Sequence, residues 1–316
     1  MRFKLKGRQG LDGGELQAFA RTVRVRATGM SMSFARLLKL LTITVFFFSI
    51  WICNSAPCSA EQQSIPAAQA IEFEGDLPFT PNPLTLKGYL RRPDGAGRHP
   101  AIVLLHGCGV IAERYDQNWG QRLASWGYVT LTIDMFGPRG INNVCGNAYP
   151  RDLKFDAYRG LNFLVRQPFV DANRIVAMGS SQGGLLALVA VERGEIEQMY
   201  KNRFRAAVAY YPVCDELKGI AVVPALILIG ERDTFAPGCR NMVDGQGGDF
   251  GTSRTTGEGV PIRLVVYPEA YHGFDVLGFK TPVDIAGHHL EYNQSAADQS
   301  LDELREFLRS TVGRRQ

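Results

Sequence analysis

Three residues of this sequence have the types and the order for acyl transfer: Ser181, Asp233 and His272. A serine hydroxyl is a poor nucleophile until a base takes its proton. An imidazole serves as that base when a carboxylate fixes its tautomer and stabilises the imidazolium. Ser181 lies in "GSSQGG" (179–184), which fits G-x-S-x-G. The pattern carries chemistry where a strand enters it and a helix leaves it. The strained turn then lifts the hydroxyl above the sheet, and the next backbone N–H points at the reacting oxygen. Here "RIVAM" precedes and "LLALVAVE" follows, a buried strand and a helix. A plain Gly/Ser turn is the bland reading. A phosphate loop is disfavoured, because neither G-x-G-x-x-G nor a Gly-Lys-Ser/Thr ending is present.

The chain has five histidines: His99, His106, His272, His288 and His289. His272, in "EAYHGFD", follows the strand-like "IRLVVYP", on the C-terminal side where active groups of open α/β sheets gather. His99 precedes a strand, at the wrong end. His106 reads as a structural hydrogen-bonding residue. His288 and His289 read as surface or packing residues inside or beside the last helical stretch. Asp233, in "LILIGERDTFAP", stands just beyond another strand, with Glu231 as the neighbour to weigh. Two donors are needed for the oxyanion. One is the backbone N–H of Gln182, after the nucleophile. The other comes from the loop "HGCG" (106–109) and is assigned to Cys108, with Gly107 as the alternative. Arg139, in "MFGPRG", has a fork suited to a substrate carboxylate. The preferred reading makes it a loop anchor held by Asp134 or a carbonyl.

Positioning these groups requires a sheet. "IEFEG" (71–75) and "LTLKGYLRRP" (84–93) alternate like half-buried strands. "AIVLLHG", "YVTLTIDMF", "RIVAMG", "AAVAYYP", "ALILIG" and "IRLVVYP" are more continuously apolar, as strands covered on both faces are. Helices are predicted over 114–127, closed by Gly127, over 151–167, after the serine turn, and over 295–310. Alternation of strands and helices gives an α/β fold with a mostly parallel eight-stranded sheet and helices on both faces. Residues 241–260 read as a long surface loop. No large cap domain is expected, so the site should be open.

The first 60 residues read differently. "LLTITVFFFSIWIC" (40–53) is an apolar run after Arg36 and Lys39, and the small, polar "NSAPCSA" follows it. That succession describes a secretory signal peptide, with a mature start near Glu61. The run is short beside the roughly 20 apolar residues of a bilayer span. An uncleaved anchor is the alternative. The 29 residues before Met30 suggest that translation starts at Met30 or Met32. Residues 1–60 carry nine basic and two acidic side chains, a net of +7 against +4 for the whole chain, so the remainder is about −3. The basic balance sits in the removable part, which argues against a nucleic-acid surface on the mature chain. Residues 61–70 read as a flexible lead-in and 71–316 as the catalytic domain. Four of the six cysteines, Cys108, Cys145, Cys214 and Cys239, fall in that domain, an even number that permits two disulfides.

Through "LLHGCGV", "DQNWGQRLASWGYVTLTIDMFGPRG", "GSSQGG", "GERDTFAPGC" and "YHGFD", residues 85–312 resemble the dienelactone hydrolase family of α/β-hydrolases. The resemblance implies the family fold and a nucleophile–Asp–His triad at Ser181, Asp233 and His272. The founding members use cysteine as nucleophile and carry a glutamate near the oxyanion strand. This chain has Ser181 and "LHGCG" there, so the implied activity is hydrolysis of carboxylic esters or lactones in general. In the family's strand order, Cys108–Cys145 and Cys214–Cys239 would each join loops after neighbouring strands. Four cysteines allow three pairings, and this is the expected one. The chemistry calls for no metal or organic cofactor. The expected partner is a small ester or lactone, with no nucleic acid and no membrane once the signal is cleaved. The rival readings are a peptidase or acyltransferase on the same triad and a silent binding protein of the same fold.

Overall fold

Continuous apolar runs fix the centre of the sheet. The strand "HPAIVLL" is buried at all seven positions and "ALILIG" at all six, so both of their faces are covered. The computed structural model describes residues 66–75, 84–245 and 258–313. These belong to one unit, Gln63–Gln316. The expectations for residues 1–60 and for most of the lead-in lie outside the described residues.

Eight strands build the main sheet: β1 Gln69–Gly75, β2 Leu84–Arg91, β3 His99–Leu105, β4 Val129–Asp134, β5 Val170–Ser180, β6 Ala206–Tyr210, β7 Ala225–Gly230 and β8 Ile262–Tyr267. Their order is β1-β2-β4-β3-β5-β6-β7-β8. β1 and β2 are antiparallel, as are β2 and β4; every later pairing is parallel. All eight sequence-predicted strands are present.

A helical stretch over 112–125, α1, packs on β4 and includes a π-helical turn at Asp116–Gly120. Asp116 is buried inside that turn, where it takes two hydrogen bonds from Arg91 at 2.6 and 2.9 Å. The predicted closure at Gly127 holds, with φ +93°. Residues 151–167 divide into a 3₁₀ turn, Arg151–Phe155, and helix α2, Asp156–Val165. Helix α3, Gln182–Val189, follows the serine. Short helices α4, Glu195–Met199, and α5, Ala236–Val243, were not predicted; α5 takes the first residues of the stretch read as a surface loop. The closing helix α6, Gln294–Val312, packs on β5, β6 and β7. The Asn293 side chain caps it by accepting from the Ala296 N–H at 3.0 Å.

Of the two places read for His288 and His289, inside or beside the last helical stretch, the structure takes the second. His288 and His289 do not belong to the last helical stretch. They open strand β10, His288–Leu290, which pairs with β9, Val283–Ile285, in a separate hairpin. Gly287, at φ +84°, makes the turn between the strands.

Candidate active site

Sheet register determines which loops meet. β3 and β5 are parallel neighbours with Leu105 opposite Gly179. The residues that follow, His106–Cys108 on one strand and Ser180–Gln182 on the other, therefore leave the sheet side by side. The glycines of the motif permit the close turn. A Cβ on Gly179 would lie 2.2 Å from the Gly183 carbonyl oxygen, and one on Gly183 would lie 2.0 Å from that of Leu105. Ser181 sits between them at φ 56°, ψ −119°, a conformation that costs a non-glycine residue about 1–3 kcal/mol. Its own N–H donates to the Tyr210 carbonyl at 2.9 Å, and its carbonyl accepts from Leu185 at 3.0 Å.

β7 and β8 deliver the other two groups, with Gly230 opposite Tyr267. Asp233 is buried, and its Oδ1 accepts from the Phe235 N–H at 2.9 Å, which fixes the carboxylate. Its Oδ2 lies 2.8 Å from His272 Nδ1, and His272 Nε2 lies 3.0 Å from Ser181 Oγ. Asp233 can only accept from Nδ1–H, so Nε2 is left with its lone pair toward the serine. The structure thus brings Ser181, Asp233 and His272 into one hydrogen-bonded line. Glu231 is not part of it: it is exposed, and its Oε2 accepts from the Glu269 N–H at 3.3 Å.

Gln182 and Cys108 both border the cavity that opens on Ser181. Gln182 starts α3, and amides of a first helical turn have no partner within their own helix. The Cys108 loop is held by His106, which is fully buried. His106 Nε2 accepts from the Met135 N–H at 3.2 Å, so Nδ1 carries the proton and donates to the Gly107 carbonyl at 2.9 Å. Burial pushes the His106 pKa down. His106 is a structural histidine, as read from the sequence.

That burial has a pH consequence. The unfolded chain binds a proton at His106 near the ordinary value of about 6.5, and the folded protein binds it only at lower pH. The stability involved is present above that value and is lost as pH falls toward the folded one. His288, also depressed by burial and by the nearby His272, adds in the same direction. Thermal melts between pH 8 and 5 should show a falling Tm below about 6.5 that is shallower in His106→Gln. An identical slope in the variant would contradict this assignment.

Arg139 is corrected as a substrate-binding candidate. It bonds Asp152 at 3.0 and 2.6 Å, Asp156 at 2.8 and 2.9 Å and the Met135 carbonyl at 2.7 Å. Its fork is fully used away from the cavity. The preferred reading, an anchor held by Asp134 or a carbonyl, finds its carbonyl in Met135, and Asp152 and Asp156 stand in place of Asp134. Asp134 instead accepts from the Phe136 and Gly137 amides. Both expected disulfides are present, Cys108–Cys145 and Cys214–Cys239, with Cα separations of 5.0 and 4.9 Å.

Several site residues escaped the sequence reading. Tyr211, at φ 38°, sets its ring 4.7 Å from His272 and donates its hydroxyl to Asp275 at 2.6 Å. Burial pushes the Asp275 carboxyl up. His288 packs 4.4 Å from Phe235 and 6.2 Å from His272, with Nδ1 bonded to Thr234. The hairpin that carries it is tied to the His272 loop by a bridge between His272 and Leu290. The cavity measures about 770 Å³ and takes much of its wall from Tyr149, Tyr211, Phe235, Leu277, Phe279 and Ile285. None of these had a local signature, because each matters through a contact far along the chain.

A serine after β5, an aspartate after β7 and a histidine after β8, on a sheet that is parallel from β4 onward, is the plan of the α/β-hydrolases. Within that class the chain belongs to the dienelactone hydrolase family, whose family model matches residues 86–312. Among curated proteins it is 25% identical over 230 residues to acylamino-acid-releasing enzyme 1 of Oryza sativa, a match covering 58% of this chain and 28% of that protein. It is 28% identical over 141 residues to feruloyl esterase B of Neurospora crassa, covering 41% of this chain and 44% of that one. The chain thus spans less than half the length of both relatives. Among solved structures, Thermogutta terrifontis esterase 2 phosphorylated by paraoxon superposes with a TM-score of 0.54 at 22% identity, over 79% of this chain and 96% of that one.

Proposed function

We propose that this protein is a serine hydrolase that cleaves carboxylic esters or lactones through an acyl-enzyme on Ser181. The observation that carries the reading is the relay of 3.0 Å from Ser181 Oγ to His272 and 2.8 Å from His272 to Asp233, built on a strained serine. His272 takes the hydroxyl proton as Ser181 attacks the carbonyl carbon. The Gln182 and Cys108 amides receive the negative charge that develops on the carbonyl oxygen. His272 returns the proton to the leaving alkoxide, and water then attacks the acyl-enzyme with His272 again as base. Asp233 holds the imidazole in the required tautomer throughout.

The aromatic and aliphatic walls suit an ester with a sizeable apolar or aromatic group, and the cavity volume lies in the small-molecule range. Residues 71–316 are proposed as the catalytic domain and 1–60 as the extension and signal peptide of an exported, periplasmic or secreted enzyme. Two disulfides support an oxidising compartment. Among the described residues no helix is long and apolar enough to cross a membrane.

The similarity to an acylamino-acid-releasing enzyme supplies the one specific reason to weigh amide cleavage. A panel of p-nitrophenyl esters from acetate to aromatic acids, simple lactones and matched anilides separates the readings. Esters should turn over well ahead of anilides, and a fluorophosphonate should label the peptide containing Ser181. Absence of both ester turnover and labelling would refute the proposal, and faster anilide cleavage would favour the peptidase.

A further inference from the structure

Resting on the hydrolase reading, we propose that the Cys108–Cys145 disulfide sets the oxyanion-stabilising loop in place, making Cys145 a positioning residue and catalysis dependent on the oxidised bond. The two bridges of this protein differ in what they hold. On that reading the Cys108 amide, which borders the cavity with Ser181, is an oxyanion donor, so anything that moves its backbone moves a donor. A Cβ on neighbouring Gly107 would lie only 3.6 Å from the Ser181 Cβ.

On the strand side, this loop is pinned by His106 as described above. On the far side it meets the segment 143–147, and the ties there are few. The Val144 N–H donates to the Cys108 carbonyl at 3.0 Å, and the disulfide is the other link. The remaining bonds of that segment are internal. Cys145 N–H donates to Asn143 Oδ1 at 2.6 Å, Asn147 N–H to the Val144 carbonyl at 3.0 Å, and the Asn147 side chain to the Cys145 carbonyl at 3.2 Å. Asn143, Gly146 and Asn147 are exposed, so packing does little to hold them. Contact across the bridge is nevertheless close, since a Cβ on Gly109 would lie 3.1 Å from Cys145 Sγ. Cutting the bridge leaves one backbone hydrogen bond and the buried Val144 side chain to keep the loop in register.

Accessibility separates the two bridges. Cys214 and Cys239 are both 0% exposed within the core. Cys108 and Cys145 are half-buried and border the open cavity, where a small thiol can reach the sulfurs. A dithiol would reduce this bond first. Its thiolate attacks one sulfur, the S–S bond breaks to give a mixed disulfide, and its second thiol closes to a cyclic disulfide. Cys108 and Cys145 leave as two thiols, with both electrons supplied by the dithiol. A donor displaced by an ångström stabilises the developing charge poorly while substrate contacts elsewhere in the cavity persist. The loss therefore falls on kcat, by about tenfold or more, with KM changed less than about threefold.

The test uses the oxidised protein as exported, with active sites titrated by a fluorophosphonate so that kcat is per intact site. Native treatment with dithiothreitol, followed by alkylation and peptide mass analysis, should free thiols at Cys108 and Cys145 and leave Cys214–Cys239 intact. Ester kcat should fall with the freed thiols, and reoxidation should restore it. Cys145→Ser should begin at the low kcat and ignore the reductant. A wild-type kcat unchanged after both thiols are freed, or a fully active Cys145→Ser, would overturn the proposal. So would an equal rise in KM, which marks general loosening of the cavity. Oxidised wild-type protein without ester turnover would instead fell the hydrolase reading, and this one with it.

Discussion

Ser181→Ala is expected to lower ester kcat by on the order of 10⁴- to 10⁶-fold, as removal of a triad nucleophile does elsewhere. Without the hydroxyl no acyl-enzyme forms, and any residual rate comes from binding and the oxyanion donors acting on water. Folding should survive, because the change deletes one partly exposed hydroxyl. The backbone strain makes a sharper version of the experiment. Ser181 occupies a positive-φ conformation outside the usual wells. Ser181→Gly should therefore be just as inactive yet melt higher, by about 1 kcal/mol of relieved strain offset in part by glycine's greater entropy when unfolded. A turn that existed only to reverse the chain would have no reason to keep serine there. Ser180→Ala is the control. Its Oγ shares a 2.8 Å hydrogen bond with the buried Tyr115 hydroxyl. Its loss should cost about 1 kcal/mol of stability and leave most activity. Steady-state kinetics and melts on the three variants decide the matter, and undiminished turnover by folded Ser181→Ala would refute the mechanism.

The hydrogen-bonded line of Ser181, Asp233 and His272 was legible because each residue follows an apolar strand, the central β5 and β7 and the edge strand β8, and because the chain order Ser, Asp, His is itself a signal. β3 and β7 carry continuous apolar runs that read as buried strands, and the loops they feed hold Cys108 and Asp233. Local sequence also carried the choice of His272 over His99, since one follows a strand and the other begins one. What was not legible came from partners distant along the chain. Arg139 was read as an anchor on Asp134 or a carbonyl, and of these the Met135 carbonyl is a partner while Asp134 is not. Its carboxylate partners, Asp152 and Asp156, reach it from the 3₁₀ turn and helix beyond. The hairpin that carries His288 was not read at all, because β9 and β10 have three residues each, too few for a period-two pattern to emerge. Tyr211 gave no hint either. Its role depends on a ring packed against His272 and a hydroxyl on Asp275, 61 and 64 residues further along the chain.

The second large effect is expected from Asp233→Asn, a fall in kcat of about 10⁴-fold with the fold and KM nearly unchanged. The side chains are isosteric, and the difference lies in which atoms donate. Asp233 Oδ1 accepts from the Phe235 N–H at 2.9 Å, and an asparagine keeps that bond only by leaving its oxygen there. Its NH₂ then faces His272 Nδ1, where the aspartate Oδ2 now sits at 2.8 Å. A donor at that place turns Nδ1 into an acceptor and moves the imidazole proton to Nε2. Nε2, 3.0 Å from Ser181 Oγ, no longer has a lone pair for the serine proton, and the base is lost without any atom moving far. Glu231→Gln, on the exposed neighbour that accepts from Glu269, should leave kcat within about twofold, because surface changes away from such features have small effects. Comparing fluorophosphonate labelling rates isolates the first half-reaction. Labelling should slow in parallel with kcat in Asp233→Asn and stay at the wild-type rate in Glu231→Gln. Labelling of Asp233→Asn at the wild-type rate would mean that the carboxylate orienting His272 is supplied elsewhere, with Asp275, across the Tyr211 ring, the next group to replace.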